Sequence, residues 1–351
     1  MVGLKMAVLK RIQLVNFRSH ERFELALNPQ LTTIVGENGC GKTSVLEAIY
    51  EVTQGRSFRA VDREIVRRGA EFYRVELEYE DGRKVVAVYD AEAARKEFLV
   101  EDKRTRRLPK KARYPIVLFE PDDLGLIGSS PTRRRAYFDR MLGQLSEAYA
   151  TALARYNKAL KQRNELLKQE VMDAGEMFSW NMLLTQYGAE INRQRMGMTE
   201  QVNRRLTEVY RSIAENEDEV EMRYRSEVRS EEEFLRELER GLGRDRILGH
   251  TGFGVHRDNY EFWFNGVEAD GSASRGEVRS MVIALKFIEA EMVVAVLRQK
   301  PVVLLDDVFS ELDERRQESL MTNFRDNQVV LTSVGEVGGQ AVLGRQHLKP
   351  T

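Results

Sequence analysis

The sequence predicts an α/β fold with mixed β-sheets, assembled from both ends of the chain around an all-helical insertion. Three observations carry this. LTTIVGENG at 31–39 is a short β-rich run that ends in a glycine turn and leads into the helical pattern TSVLEAIYEVTQ at 43–54. Between Pro131 and the 240s the pattern becomes wholly helical, with apolar residues at steps of three and four. The α/β pattern then returns, with the buried-strand run PVVLLDD at 301–307 and QVVLTSVG at 328–335.

In the first third, FYRVELEYE at 72–80 and KVVAVYD at 84–90 alternate about the Asp81-Gly82 pair, a hairpin signature. YPIVLFEP at 114–121 is a further strand, stopped by Pro121. In the middle, Phe138, Leu142, Leu145, Tyr149, Leu153, Tyr156 and Leu160 form one stripe, predicting a long amphipathic helix that opens at Pro131-Thr132. After the break at Asp173-Ala174-Gly175, a second long helix carries Leu184, Tyr187, Ile191, Met198, Val202, Leu206, Val209 and Ile213. Each is expected to run about 35–40 residues, roughly 55 Å at 1.5 Å per residue. EEEFLRELERGLG at 231–243 predicts a third, shorter helix, and YEFWFNG at 260–266 a strand and turn. The expected domains are 1–130 and 248–351 as the two parts of the head, with 131–247 as the helical arm.

The chain has 351 residues, enough for two cores. Its 55 basic and 56 acidic residues nearly cancel, so only local clusters bear on partners. The single cysteine, Cys40, excludes an intramolecular disulfide and a multi-cysteine zinc site, and four histidines disfavour a histidine-based metal site. No apolar run approaches the roughly 20 residues that span a bilayer. The N-terminal stretch, interrupted by Lys5, Lys10 and Arg11, lacks a signal-peptide core. A cytosolic protein with no membrane partner is the expectation.

The chemistry concentrates in two places. Gly36, Glu37, Asn38, Gly39, Cys40, Gly41, Lys42 and Thr43, followed by Ser44, satisfy the phosphate-loop pattern between a strand and a helix. Glycines let backbone N–H groups turn inward around phosphates, Lys42 neutralises β and γ charges, and the Thr43 hydroxyl can ligate Mg²⁺. The run at 301–307 delivers Asp306 and Asp307 at a strand's carboxyl end. Asp306 is the expected Mg²⁺ partner, through water, and Asp307 the group that polarises the attacking water. Taken alone, the aspartate pair also reads as a helix-capping turn. Cys40, among inward-facing N–H groups, reads either as a reactive thiolate or as a small buried filler.

A second anion-binding shape, ASRGEVRS at 273–280, opens an apolar helix. In a chain with one phosphate loop, this turn suits a different copy of that loop. Two heads meeting face to face place Ser274 and Gly276 of one over the γ-phosphate held by the other. Ser274 as N-cap with Glu277 three residues later also makes a capping box, and the two readings are compatible.

In motif order the chain resembles the ABC-type ATPase heads and, in detail, the RecF family of bacterial recombination mediators. The matching stretches are LVNFRSHERFEL at 14–25, GENGCGKTSVLEAIY at 36–50, GRSFR at 55–59 and LFEPDDLGLIGSSPTRRRAYFD at 118–139. YNKALKQRNELL at 156–167, GVHRDN at 254–259, SRGE at 274–277 and LLDDVFSELD at 304–313 complete them. The resemblance implies an ABC-type phosphate-loop ATPase head with a helical arm, ATP and Mg²⁺ as cofactors, and an ATP-dependent homodimer acting on gapped or junction DNA. It further implies slow, DNA-stimulated hydrolysis, RecO and RecR as partners, Ser310 to Asp313 at the dimer interface, and Arg18 near the nucleotide. The short arm disfavours an SMC-like clamp, and the large helical insertion disfavours a transporter ATPase.

Two stretches depart from the family pattern. The signature turn, commonly S-Q-G-Q, is Ser274-Arg275-Gly276-Glu277 here, which raises Arg275 as a charge stabiliser on a partner's nucleotide. Val255 and Asn259 stand where the family has proline and a second aspartate, so no catalytic role carries over to His256. Thr332 and Ser333 fall where many ABC heads have a histidine. Residues 103–113 hold seven basic side chains and no acid; Arg133 to Arg135 and Arg56, Arg59, Arg63, Arg67 and Arg68 form further clusters. Each reads either as solubilising charge or as a phosphate-contacting patch with little sequence preference.

Overall fold

The computed structural model describes residues 8–334 and 345–348. The chain opens with β1 (Leu9–Phe17), β2 (His20–Ala26), β3 (Leu31–Gly36), α1 (Lys42–Gln54) and α2 (Asp62–Ile65). Strands β4 (Phe72–Tyr79), β5 (Lys84–Asp90), β6 (Arg95–Val100), β7 (Lys103–Thr105) and β8 (Ile116–Phe119) follow. Helices α3 (Pro131–Leu145), α4 (Glu147–Leu167) and α5 (Ala174–Ala214) come next, then β9 (Val220–Arg225), α6 (Glu231–Arg240) and α7 (Leu242–Leu248). Last come β10 (Asn259–Phe264), β11 (Val267–Glu268), α8 (Arg275–Leu297), β12 (Val302–Asp306), α9 (Glu314–Asn323), β13 (Val329–Ser333) and β14 (Arg345–Leu348).

The chain divides into two compact units, residues 1–123 with 289–351, and residues 124–288. In the first, an antiparallel sheet of order β2-β1-β4-β5-β6-β7 and a parallel sheet of order β14-β3-β13-β12-β8 lie on either side of α1, which packs against strands of both. This sandwiching explains the sequence of α1. Leu46, Ile49 and Val52 are buried, and so are Glu47 and Glu51 on its other side. The parallel strands read as continuous apolar runs because both of their faces are covered; Val302, Val303, Leu304 and Leu305 are at most 1% exposed. The Asp81-Gly82 hairpin forms as predicted, pairing Glu78 with Lys84 and Phe72 with Asp90.

The second unit is built on the antiparallel contact of α4 with α5, with α3 and α6 packed alongside and a sheet of order β11-β10-β9. The unit boundaries differ from the sequence division at 130 and 247. Strand β10, expected to return to the head, pairs with β9 from Asn259–Arg225 to Phe264–Val220. Strand β9 was not read from the sequence. Its backbone is tied to α5 by Asn203, which bonds both Met222 O and Met222 N, and by Thr207 on Val220 O.

The first predicted long helix is two. The apolar stripe runs through Leu145 and Tyr149 unbroken, but Ser146 is extended; its N–H closes α3 on Leu142 O, and its hydroxyl caps α4 at Tyr149 N. The second long helix forms as one element of 41 residues. At Gly188 a Cβ would lie 2.3 Å from the Phe234 ring, so glycine is what lets α6 approach α5.

Two arginines occupy core positions in this unit. Arg163, fully buried, bonds Asn181, Asp245 and Thr251, each at 2.7 Å. Arg195, 2% exposed, bonds Asp139 at 2.8 Å, Asp258 at 3.0 Å and Val255 O at 2.8 Å. Such pairs persist only because every partner is hydrogen-bonded.

Candidate active site

The phosphate loop leaves β3 at Gly36 and enters α1 at Lys42. Gly39 has φ 84° and Gly41 φ 98°, the left-handed region where side chains are strained. At Gly41 space is also lacking, since a Cβ would lie 2.5 Å from His20 Nε2 and 2.7 Å from Ser19 Oγ. His20 donates its Nε2–H to Gly41 O at 3.1 Å, and burial lowers its pKa, so it serves as a neutral donor. No acid lies in the first turn of α1, which leaves the N–H groups and the helix dipole open to an anion. Lys42, 6% exposed, donates to Gly36 O at 2.8 Å and Glu37 O at 3.2 Å. Cys40 is 4% exposed, which matches the buried-filler reading.

Three neighbouring parallel strands, β3, β13 and β12, deliver the rest at their carboxyl ends, with Thr332 opposite Ile34 on one side and Asp306 on the other. Thr43 Oγ1 donates to Asp306 Oδ1 at 2.9 Å, and Thr332 Oγ1 does the same at 2.9 Å. Thr332 Oγ1 accepts in turn from the Asp307 backbone N–H at 2.9 Å. Burial raises the pKa of Asp306, and the two hydroxyls offset part of that. Asp307 sits at φ 53°, a conformation that costs a non-glycine residue about 1 kcal/mol or more, and its Oδ1 is buried with no hydrogen bond among the described residues. A hydroxyl and a carboxylate in contact, with an unsatisfied carboxylate oxygen on the next residue, fit a Mg²⁺. This ion takes one or two protein oxygens and leaves the rest of its shell to water and phosphate.

Thr43 and Asp307 border a cavity of about 500 Å³ whose lining includes Asn38, Gly39, Gly41, Lys42 and Ser44, together with Arg18, Arg59 and Arg68. Arg18 bonds both oxygens of Glu47, at 2.7 and 2.9 Å, and Glu64 O at 3.0 Å. Arg59 reaches Glu47 Oε2 at 2.9 Å, and Ser57 donates to Oε1 at 2.6 Å. Glu47 itself is fully buried on α1. Burial pushes its pKa up, but Arg18, Arg59 and Ser57 outweigh that and hold it below the ordinary carboxylate value.

The expected residues Gly36 to Ser44, Arg18, Asp306 and Asp307 therefore gather at one place. Ser274, Arg275 and Gly276 lie in the second unit, at the start of α8. There the capping box forms. Ser274 N donates to Glu277 Oε2 at 2.6 Å, and Glu277 N to Ser274 Oγ at 3.3 Å. His256 is structural, bonded to Tyr156 Oη at 2.8 Å and Thr251 O at 3.0 Å, and burial lowers its pKa to about 4.

The basic clusters separate. All seven basic side chains of residues 103–113 are exposed. Arg134 is buried on Ile127 O and Ser129 O, and Arg135 bonds Asp258 O, so that run is largely internal. In the third cluster, Arg59 and Arg68 line the cavity instead of forming a separate patch. Glu47, Arg59, Arg68 and Thr332 were not read as site residues. GRSFR was visible as a matching stretch, whereas a glutamate inside an amphipathic pattern gives no signal of its own.

A family model for the RecF/RecN/SMC N-terminal domain matches residues 8–337. The chain is 35% identical over 347 residues to the DNA replication and repair protein RecF of Moorella thermoacetica, covering 97% of this chain and 94% of the relative. It is 30% identical over 335 residues to RecF of Clostridium perfringens, covering 93% of each. The solved structure of the recombination mediator protein RecF-ATP in the RecFOR pathway superposes with a TM-score of 0.85 at 28% identity, over 95% of this chain and 94% of that one. An Smc head domain from Pyrococcus furiosus shares the fold at a TM-score of 0.53 and 18% identity, over 94% and 90%. With the phosphate loop, its strand-end aspartates and near full-length matches in hand, the chain belongs to the RecF/RecN/SMC N-terminal domain family, among its RecF members.

Proposed function

We propose that this chain is an ATP-dependent DNA-binding protein of recombinational repair and replication-fork maintenance, and a slow ATPase stimulated by DNA. The observation that carries the reading is the contact of Thr43 with Asp306 beside the unsatisfied Asp307 oxygen, at the mouth of a complete phosphate loop. The RecF-ATP likeness supports ATP as the nucleotide.

In hydrolysis a water oxygen bonds to the γ-phosphorus as the bond to the β–γ bridging oxygen breaks, and Asp307 accepts the water's proton. Lys42 and the N–H groups of the loop and α1 neutralise the phosphates, with Arg18 and Arg59 held beside them by Glu47. Thr43 and Asp306 would hold Mg²⁺, which supplies further charge neutralisation when bound.

In the same reading, Ser274, Arg275 and Gly276 of one copy close on the nucleotide of a second, so that ATP drives head-to-head dimerisation and hydrolysis resets it. The dimer helps load recombinase on gapped DNA together with RecO and RecR. Membrane attachment through a helix is not part of the reading, and among the described residues no helix is long and apolar enough to cross a bilayer.

The test is sedimentation of the protein alone, with ADP, and with ATP–Mg²⁺, alongside Ser274→Arg. A dimer seen with ATP only and lost in the variant is the expected result. A monomer under every condition overturns the mechanism.

A further inference from the structure

We propose that the helical unit carries a phosphate site of its own, a cavity of about 610 Å³ beside β9 and α7 that docks the phosphodiester backbone of DNA. The proposal rests on the reading above in taking DNA as the partner; the location and chemistry come from the side chains of this unit.

The cavity is bordered by Arg225, Arg244 and Arg257, and by the acids Glu227 and Asp258. Those charges are not equally available. Asp258 is 3% exposed and is taken by Arg195 at 3.0 Å and by the Tyr224 hydroxyl, so its charge is spent inward. The neighbouring Asp245 is likewise committed to Arg163 at 2.7 Å and to the Gly252 N–H at 2.9 Å. Arg225 is paired with Glu261 at 2.8 Å.

Arg244 and Arg257 remain. Both are exposed, and among the described residues neither side chain makes a hydrogen bond or an ion pair. The two buried arginine networks therefore take up Asp245 and Asp258 and leave two exposed guanidinium groups at the cavity, with Glu227 as the one exposed acid in its lining. Guanidinium groups in this situation match phosphate oxygens bidentately.

No Phe, Tyr or Trp borders the cavity, so it offers no stacking platform for a base and reads backbone, not sequence. Both arginines stand exposed at the surface, where a continuous strand can pass over them. Arg257 and Asp258 also come from GVHRDN, a matching stretch for which the ATPase chemistry has no use.

The experiment compares the wild-type protein with the double variant Arg244→Glu/Arg257→Glu, both with ATP–Mg²⁺, by anisotropy of a labelled DNA duplex over a salt series. The double variant is expected to bind about tenfold more weakly, with the slope of log affinity against log salt reduced by about 2. Its ATP affinity and DNA-free hydrolysis stay at the wild-type level, and Glu227→Gln tightens duplex binding. Wild-type affinity and slope in the double variant overturn the proposal while leaving the DNA reading standing. If the wild-type protein does not bind the duplex, both fall. Protection of Arg244 and Arg257 from phenylglyoxal by inorganic phosphate, but not by duplex, assigns the cavity to a small anion and overturns the nucleic-acid assignment.

Discussion

The Thr43 hydroxyl donates to Asp306 Oδ1 at 2.9 Å, joining two positions 263 residues apart in the chain. The bond ties the first turn of α1 to the end of β12, so the phosphate loop and the strand-end aspartates hold a fixed geometry. Asp306 is also the group whose ionisation the fold resists, because burial raises its pKa.

A raised carboxyl pKa means that the ionised form costs stability above that pKa, and the cost disappears as pH falls through it. Asp306→Asn is therefore expected to melt at a higher temperature than wild type at neutral pH, with the difference closing in acid. Mg²⁺-dependent ATP affinity is expected to fall about 10–100-fold, as for loss of a group that acts on the metal through water. Melting curves against pH and ATP titrations with and without Mg²⁺ check both. A variant no more stable than wild type would mean that Asp306 does not carry this strain.

Glu47 has the opposite sign. Its folded pKa lies below the ordinary glutamate value, so the stability it contributes is present above that value and lost as pH falls through the folded one. Glu47→Gln leaves Arg18 and Arg59 without their anion and is expected to cost about 3 kcal/mol at neutral pH. The gap to wild type narrows in acid. ATP affinity should fall as well, because both arginines lose the partner that aims them. Denaturant titration at several pH values decides; a gap independent of pH rules out the ion-pair account.

The residues that announce themselves in the sequence are those whose neighbours in the chain explain them. The phosphate loop, the Val302 to Leu305 run, the Asp81-Gly82 hairpin and the Ser274–Glu277 box are local patterns, and each forms. Glu47 was hidden because its role depends on α1 being covered on both sides, a tertiary fact. The break at Ser146 was hidden because the apolar stripe continues through it. The burial of Arg163 and Arg195 has no local signal, because an arginine in a core is legible only once Asp245 and Asp258 are brought beside it.

Thr332 illustrates the same limit from the other side. The sequence shows only that no histidine stands there, while the structure shows a hydroxyl that links both aspartates. Thr332→Val keeps the shape and removes both bonds, so it is expected to cost about 1–3 kcal/mol of stability. Because Asp307 loses its backbone anchor, kcat is expected to drop about 10–100-fold with a smaller change in KM. Thr332→Ser, which restores the hydroxyl, recovers both. Equal losses in Val and Ser would indicate a packing role instead.

The altered signature turn yields the last prediction. Glu277 is folded back onto the Ser274 N–H, so its charge is committed to the cap, and the departure from the family's glutamine need not bring an acid to a phosphate. Glu277→Gln keeps the capping geometry and is expected to leave ATP-driven dimerisation and hydrolysis within about twofold of wild type, since Gln serves at the same capping position. Arg275 is different: it is exposed at the first position of α8, and its side chain makes no hydrogen bond or ion pair among the described residues. Arg275→Ala is expected to weaken ATP-driven dimerisation and to slow hydrolysis about tenfold or more, as loss of a charge stabiliser on the partner's nucleotide. Arg275→Lys should recover dimerisation better than rate, because lysine keeps the charge and loses the planar fork. If Arg275→Ala dimerises and hydrolyses as wild type does, the turn acts through its backbone N–H groups alone, and the arginine is surface charge.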